Sequence, residues 1–505
     1  MSVQTAAPAT HSALGRRDTL VVFAGLLLAM FIAALDQTIT ATALPTIAGD
    51  LGGLSQLTWV VTVYVLAAAA TTPGWGKLSD QFGRRGLLRA AIATFLVGSA
   101  LCGIAQNIGE LIAFRAAQGM GAGGIMTLAM ATVGDLVSPR ERGRYQGYIQ
   151  SVFVLASVAG PLLGGVFVDD VSWRWVFYIN VPIGAAALTL LRRQPAAPAG
   201  RSARVDYVGA ALLAAAVSAV LLVTVWGGDR YAWGSAEILG PVVAALVLLA
   251  GFIWQERRAA EPVLPLRLFR DRVFVVVSIG AFLATLSLFA AIVFMPLFFQ
   301  FVTGATATTS GLLLIPMLLA STASTIGSGR IMTRTGRYKI FPVIGFAIMC
   351  LGLGLLSTVP SSGRGLAVAY LVVFGLGFGL TTQVLVVAIQ NAVDRREIGT
   401  ATASVNLFRA LGGSLGVAIY GAVFAAGLRH WLPRHVPGGA AGVDAHGIQA
   451  SPDHIRALPA AVQHGISLSV ADALHAVFLT ATPVAALGFL VVLFLRERPL
   501  GGART

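Results

Sequence analysis

Fourteen times along this chain an apolar run of some twenty residues is followed by a short polar link. Roughly twenty residues of helix cover the ~30 Å hydrocarbon core of a bilayer, whereas a barrel strand needs only about ten. With no water at that depth to satisfy the backbone, runs this long have to be helices. They begin near Thr19, Leu57, Leu87, Gly109, Tyr145, Trp175, Tyr207, Ile238, Val273, Ser310, Ile340, Leu366, Thr400 and His475. The fold class predicted is an all-α polytopic membrane protein with 14 transmembrane helices. At 56% hydrophobic and 11% charged residues, with a mean hydropathy of +0.81, the chain lies outside the composition of soluble enzymes.

A formal charge of +14 would suggest nucleic acid in a soluble protein. Here the cations lie in the links. Placing the N-terminus in the cytoplasm puts 27 of the 35 Lys and Arg residues in inner segments, six in outer segments and two, Arg115 and Arg409, within spans. That asymmetry is what the positive-inside rule predicts. It implies a multi-pass protein of the cell inner (cytoplasmic) membrane with both termini cytoplasmic, whose macromolecular environment is the lipid bilayer and not nucleic acid. The first apolar run is read as a retained span, being too long and too polar at its far end for a leader. Cys102 and Cys350 fall inside apolar runs and read as buried thiols. Six of the seven histidines lie in or beside a Gly- and Pro-rich outer segment, at spacings that fit no zinc signature, so no metal site is expected.

A weak internal repeat organises the chain. Gly76-Lys77-Leu78-Ser79-Asp80-Gln81-Phe82-Gly83-Arg84, after the second run, matches Gly329-Arg330-Ile331-Met332-Thr333-Arg334-Thr335-Gly336-Arg337, after the tenth, in its glycines, its branched aliphatic and its last arginine. Both copies follow the second span of a six-span block if runs seven and eight are an insertion. The domains expected are then a cytoplasmic arm (1–18), an N-terminal six-helix bundle (19–192) and two inserted helices with flanking links (193–272). A C-terminal six-helix bundle (273–496), with a long extracellular loop at 428–474, and a cytoplasmic tail (497–505) complete the chain. This is the parallel-repeat plan of a transporter whose halves rock about a central site.

Four segments carry a family resemblance: Leu35-Asp36-Gln37-Thr38-Ile39 through Pro45, Gly76 through Arg85, Arg115-Ala116-Ala117-Gln118-Gly119 through Gly123, and Gly160-Pro161-Leu162-Leu163-Gly164-Gly165 followed by Trp173 through Pro182. In order and spacing they resemble the major facilitator superfamily, within it the fourteen-span drug:proton antiporter branch (EmrB/QacA type). The resemblance covers nearly the whole chain. It implies two six-helix bundles plus two inserted helices, an inner-loop cluster that latches the halves in the outward-open state (Gly76, Asp80, Gly83, Arg84, Arg85, with Asp135 as a partner), and a gating role for the antiporter motif Gly160, Pro161, Gly164 and Gly165. Thr333 stands where the first copy has Asp80, so a charge switch at that loop is expected on one side only. Without the resemblance, the same glycines would read as helix packing and the basic loop as a topology signal alone.

Asp36 lies about 17 residues, ~26 Å, from the inner end of its run, and Arg115 about six, ~9 Å, from the outer end of its own. The two reach similar depth. An aspartate at mid-bilayer costs ~2.5–3.5 kcal/mol unless it is paired or wet. Low dielectric favours its protonated form and a nearby arginine its charged form, so moving one against the other changes proton affinity. Asp36 is therefore expected to carry the proton and Arg115 to tune it, against the blander reading of a static ion pair. Asp36→Asn is expected to abolish gradient-driven efflux and leave expression and insertion intact. In-span polar and aromatic residues Gln37, Thr38, Thr42, Gln118, Phe294, Phe298, Gln383, Gln390, Asn406 and Arg409 are the cavity candidates, a mixture that suits amphipathic compounds. A lone deep acid points to neutral or monocationic cargo and a small proton number.

The expected function is proton-coupled secondary export of lipophilic or amphipathic small molecules by alternating access, by a monomer whose partners are substrate and protons. A dedicated exporter of one metabolite, such as an antibiotic or siderophore, is the alternative. A membrane enzyme or sensor is remote, because no paired His and carboxylates sit at depth. The chain has no phosphate-binding Gly-x-x-x-x-Gly-Lys-Ser/Thr loop, so no ATP and no cofactor is implied. The proton gradient is the expected drive.

Overall fold

The computed structural model describes residues 15–51, 56–138, 141–194, 206–227, 231–360, 363–436 and 459–498. Fourteen helical arms account for nearly all of them: α1 (Arg16–Leu51), α2 (Leu57–Phe82), α3 (Arg84–Ile104), α4 (Ile108–Leu136), α5 (Arg142–Val166), α6 (Trp175–Tyr178 and Asn180–Leu190), α7 (Tyr207–Trp226), α8 (Ala236–Glu256), α9 (Arg272–Leu297), α10 (Ala307–Leu312 and Ile315–Thr335), α11 (Ile340–Leu356), α12 (Arg364–Ala392), α13 (Ile398–His435) and α14 (Ala460–Leu493). Eleven of the helical segments are long and apolar enough to cross a membrane. Of the rest, α11 is shorter, at 17 residues, and α2 and α4 carry Thr, Gly and charged side chains on faces that pack within protein.

Helices α1–α6 pack among themselves and α9–α14 do the same, while α7 pairs with α8 and packs against α2 and α13. The two halves meet at the end of the bundle that carries the basic links. There α2 packs on α13 and α10 on α5, a two-fold pairing of the same repeat position in each half. Glycines bring these backbones together. A Cβ at Gly76 would stand 2.5 Å from Ala403 Cβ and 2.8 Å from the Gly399 carbonyl oxygen; one at Gly329 would stand 2.2 Å from the Gly143 carbonyl oxygen. Gly76 is thus a packing residue inside α2 and not part of the link. The reversal itself belongs to Gly83, whose φ of 89° lies where L side chains are strained.

One apolar cluster at the basic end joins both halves, including Leu128, Tyr145 and Ile149 from the first and Val384, Val387 and Val405 from the second. Toward the other end the core divides. Leu35, Ile39, Val60, Trp173 and Phe177 form one cluster within the first half, and Phe294, Phe298, Phe299, Phe424 and Val470 form another within the second.

Both ends of the long loop expected at 428–474 are helix. Helix α13 runs on to His435 and α14 starts at Ala460, because Leu428 and Leu432 form an apolar stripe that buries against the cluster containing Ile466, Val470 and Leu474. His446 and His454 lie outside the described residues. His435 Nε2 stands 3.7 Å from Asp472 Oδ2 on the neighbouring helix, and no group of three metal-ligating side chains occurs among the described residues.

Candidate functional site

Asp36 is fully buried, and Arg115 is 1% exposed. An Arg115 Nη1–H donates to Asp36 Oδ2, and the same nitrogen donates to Gln118 Oε1 at 2.9 Å. Gln118 Nε2 donates to Asp36 Oδ1 at 2.7 Å, and Asn180 Nδ2 donates to that same oxygen at 3.1 Å. Ser99 Oγ accepts from Gln118 (3.1 Å) and Asn180 (3.0 Å) and donates to the Phe177 carbonyl at 2.8 Å. Arg115 Nε donates to the Val60 carbonyl at 3.2 Å, and the guanidinium lies 4.2 Å from the centroid of the Tyr64 ring. A buried pair repays its desolvation only when its remaining lone pairs and protons also find partners. Here α1, α2, α3, α4 and α6 all contribute to that. Each partner of the carboxylate is an N–H donor, so both of its oxygens act as acceptors in this cage.

Small residues allow the elements to approach. A Cβ at Gly98 would stand 2.6 Å from the Gln118 backbone nitrogen, and one at Gly119 2.4 Å from the Tyr64 carbonyl oxygen. Thus α3 and α2 sit close enough to α4 for Ser99 and Val60 to reach the network. Asp36, Arg115 and Gln118 come together as a unit. Ser99, Asn180 and Tyr64 complete it without having been singled out from sequence; Asn180, the one amide in an otherwise apolar run, was the available signal.

The inner-loop residues assemble at the basic end. Asp80 Oδ1 accepts from the Gly399 backbone N–H at 3.0 Å, and Asp80 Oδ2 accepts from the Thr400 N–H at 2.7 Å and its hydroxyl at 2.9 Å. A carboxylate from the first half therefore caps the first turn of α13 in the second, where the helix dipole favours an anion. Arg84 holds it from behind, donating to Asp80 Oδ1 at 3.1 Å and pairing through Nε with Asp135 Oδ2 at 2.8 Å. Arg85 turns away and donates to the Arg192 carbonyl at 3.0 Å. In the second copy of the motif Thr333 donates to Gly329 O of its own helix at 2.8 Å.

Around this latch the halves share a polar plug. Arg142 Nη1 donates to Gln390 O at 3.1 Å, Gln390 Nε2 to Met130 O and Thr402 Oγ1 at 3.2 Å each, Gln383 Nε2 to Gln150 Oε1 at 3.2 Å, and Asn406 Nδ2 to Thr127 Oγ1 at 3.4 Å. Each of these groups, like Gly76 and Gly329, lies within nine residues of the basic end of its helix, or ~14 Å along the axis. The Asp36 network lies beyond that seal.

The antiporter-motif glycines divide. Gly160 and Gly164 face α1, where a Cβ would meet Thr38 Oγ1 at 2.0 Å and Thr42 Cβ at 3.0 Å, whereas Gly165 has nothing within 4 Å and Pro161 is exposed. Thr38 Oγ1 donates to Leu35 O and to Ala156 O of α5, both at 3.0 Å. Beyond Val166 the helix widens into a π-turn over Phe167–Val171. Gln37 and Thr42 are exposed, one residue and six beyond Asp36 on the same helix. Phe294 and Phe298 are packed in the core of the second half, Phe294 with its ring centroid 5.8 Å from that of Phe424, and line no open face. Arg409 is half-buried on α13.

A family model described as Major Facilitator Superfamily matches residues 26–417. The chain is 36% identical over 514 residues to the multidrug transporter protein MdtP of Bacillus subtilis, covering 96% of this chain and 94% of that one. It is 37% identical over 408 residues to multidrug resistance protein 3 of the same organism, covering 80% of each. An uncharacterized MFS-type transporter of Mycobacterium tuberculosis is 41% identical over 482 residues, which cover 95% of this chain and 70% of that protein. Among solved structures, human MFSD10 (TM-score 0.61, 94% and 99% covered) and the proton:xylose symporter XylE (TM-score 0.59, 94% and 95% covered) share the fold at 15% identity.

Proposed function

We propose, for a chain that belongs to the major facilitator superfamily and is a multi-pass membrane transporter rather than an enzyme, that it works as a proton-coupled exporter of lipophilic or amphipathic small molecules. The reading places it in the fourteen-span antiporter branch and in the bacterial cytoplasmic membrane, with its basic end facing the cytoplasm. Seen that way the seal is cytoplasmic and the halves part toward the outside. The observation that carries the proposal is the Asp36 network: an acid held at depth by Arg115, Gln118 and Asn180 on other helices.

An acid caged by groups on several moving helices changes its proton affinity whenever those helices shift, which is the requirement for coupling. Protonating Asp36 removes the charge that holds Arg115 and releases α1 from α4. With the proton bound, the carboxyl no longer needs the guanidinium, and the first half is free to rearrange while the Asp80 latch opens. Discharge to the cytoplasm restores the pair. The multidrug names of MdtP and multidrug resistance protein 3 support a broad cargo range.

The test is uphill dye efflux from reconstituted vesicles under an imposed pH gradient. Export that tracks the gradient and stops with a protonophore is expected. Transport that only ever runs down the dye's own gradient would overturn the coupling.

A further inference from the structure

Among the described residues, Arg409 is a cation without a partner at mid-depth. It lies eleven residues into α13, ~16 Å from the basic end. Five residues further on, Ser414 meets Thr224, itself seventeen residues into the membrane-length α7, so the two registers agree on a position well inside the bilayer. Thr402, Asn406 and Arg409 share one stripe of the helix, at i, i+4 and i+7. Thr402 and Asn406 on that stripe bond Gln390 of α12 and Thr127 of α4 in the seal. Arg409 therefore sits one turn above the plug, on the face turned to the space between the halves.

Among the described residues its guanidinium has no hydrogen bond, no ion pair and no aromatic face. Asp36, twenty residues and ~30 Å from the basic end of α1, lies deeper and is already committed to Arg115, Gln118 and Asn180. The side chain is half-buried, on the stripe of α13 that carries the contacts between the halves. Long cations inside a membrane protein face a neighbour or a water-filled pathway. With no neighbour among those residues, this one is left for what enters the pathway.

We propose that Arg409 is the cargo-binding cation of the central site and that the preferred cargo is an amphipathic anion, a carboxylate or sulfonate on an aromatic body. The inference rests on the exporter reading and gives it a substrate class. It reverses the neutral or monocationic cargo expected from counting deep acids, because the deep acid is spoken for and the free deep charge is positive. A guanidinium presents a fork of N–H donors that matches a carboxylate or sulfonate in two parallel hydrogen bonds. Asn406, Gln383 and Gln150, just below it, supply further amide groups for the polar end of such a molecule.

The experiment uses the purified full chain in nanodiscs and in proteoliposomes with matched probes. Anilinonaphthalene sulfonate is compared with uncharged N-phenylnaphthylamine, and fluorescein with a cationic rhodamine ester. Wild type is expected to bind each anion at least tenfold more tightly than its uncharged or cationic partner. Arg409→Gln is expected to lose that tenfold preference, Arg409→Lys to keep part of it, and both to hold the wild-type elution profile and melting temperature. Equal binding of the pairs by wild type, or a preference that survives Arg409→Gln, would overturn the inference. Uphill, gradient-driven efflux of the rhodamine ester untouched by Arg409→Gln would overturn it while leaving the exporter reading intact. Tenfold anion selectivity in binding without any gradient-driven flux would do the converse.

Discussion

Replacing Asp36 by Asn removes a charge without changing shape, and the surroundings of that carboxylate determine the consequence. Arg115, 1% exposed, would lose its acidic partner and keep Gln118 Oε1, the Val60 carbonyl and the Tyr64 ring. Breaking a buried pair by removing one partner costs about 3–5 kcal/mol, because the remaining charge is stranded. At ~1.4 kcal/mol per tenfold, that is a change of roughly two to three and a half orders of magnitude in the folding equilibrium. Asp36→Asn is therefore expected to melt well below wild type in a fluorescence-detected thermal assay in detergent and to reach the membrane in lower amounts. This differs from the expectation, drawn from sequence, that expression would be untouched. The double variant Asp36→Asn/Arg115→Gln removes both charges and should recover most of the lost stability. It should not recover uphill dye efflux, since no group is left at that depth to take the proton. Here the two roles separate: if the pair is only a brace, the double variant pumps. Wild-type uphill transport by the double variant would refute the coupling argument, and a wild-type melt for Asp36→Asn alone would refute the claim that the pair is desolvated.

Gly76→Val places branched methyls against Ala403 and the Gly399 carbonyl; at ~1–3 kcal/mol of overpacking it should bias the protein away from closure at the basic end. Spin labels on the exposed ends of α2 and α13 would read the shift as a longer distance. Asp80→Asn weakens the cap on α13 and its bond to Arg84, with hydrogen bonds to charged groups worth about 1.5–3 kcal/mol, and should lengthen the same distance; an unchanged distribution would deny the latch. Gly160→Leu drives a side chain into Thr38 on α1 and should slow transport and lower the melting temperature while leaving membrane insertion intact, read by flux and melt on one sample. Glu497→Ala frees the backbone N–H groups of Tyr338 and Lys339 that it now accepts from. It should cost ~1–3 kcal/mol of stability with transport retained by the surviving fraction.

The helices were legible because lipid imposes a length. Thirteen of the fourteen run starts fall within three residues of helix starts in the structure; the exception, His475, lies well inside α14, whose first turns pack on the extension of α13 and look like loop by hydropathy. Asp36, Arg115 and Gln118 were legible because polarity is conspicuous at depth. Ser99 and Asn180 were not singled out, because a hydroxyl or an amide in a span is ordinary until its neighbours are known. Periodicity also cannot say which face of a helix looks inward: Phe294 and Phe298 are core, and Gly76 is an interhelical contact. The same blindness hid the difference between the two deep arginines, of which one is caged by partners and the other has none among the described residues.

The closed end is also built so that it can open. Its favourable contacts are one carboxylate on a helix N-terminus, a guanidinium on carbonyls, glycine backbones in touch and an apolar cluster shared by both halves. Set against them are amide groups that closure has buried without partners among the described residues, both side-chain polar atoms of Gln146 and the oxygens of Gln383 and Gln390. Each unsatisfied buried group costs about 1–3 kcal/mol, comparable with a charge-assisted bond, and so offsets part of what those contacts contribute. Water would satisfy those amides as soon as the halves part. A plug made of leucine would hold the two halves shut, and a plug with every amide paired would do the same. A partly satisfied polar plug instead narrows the gap between the closed arrangement and one in which the halves have parted.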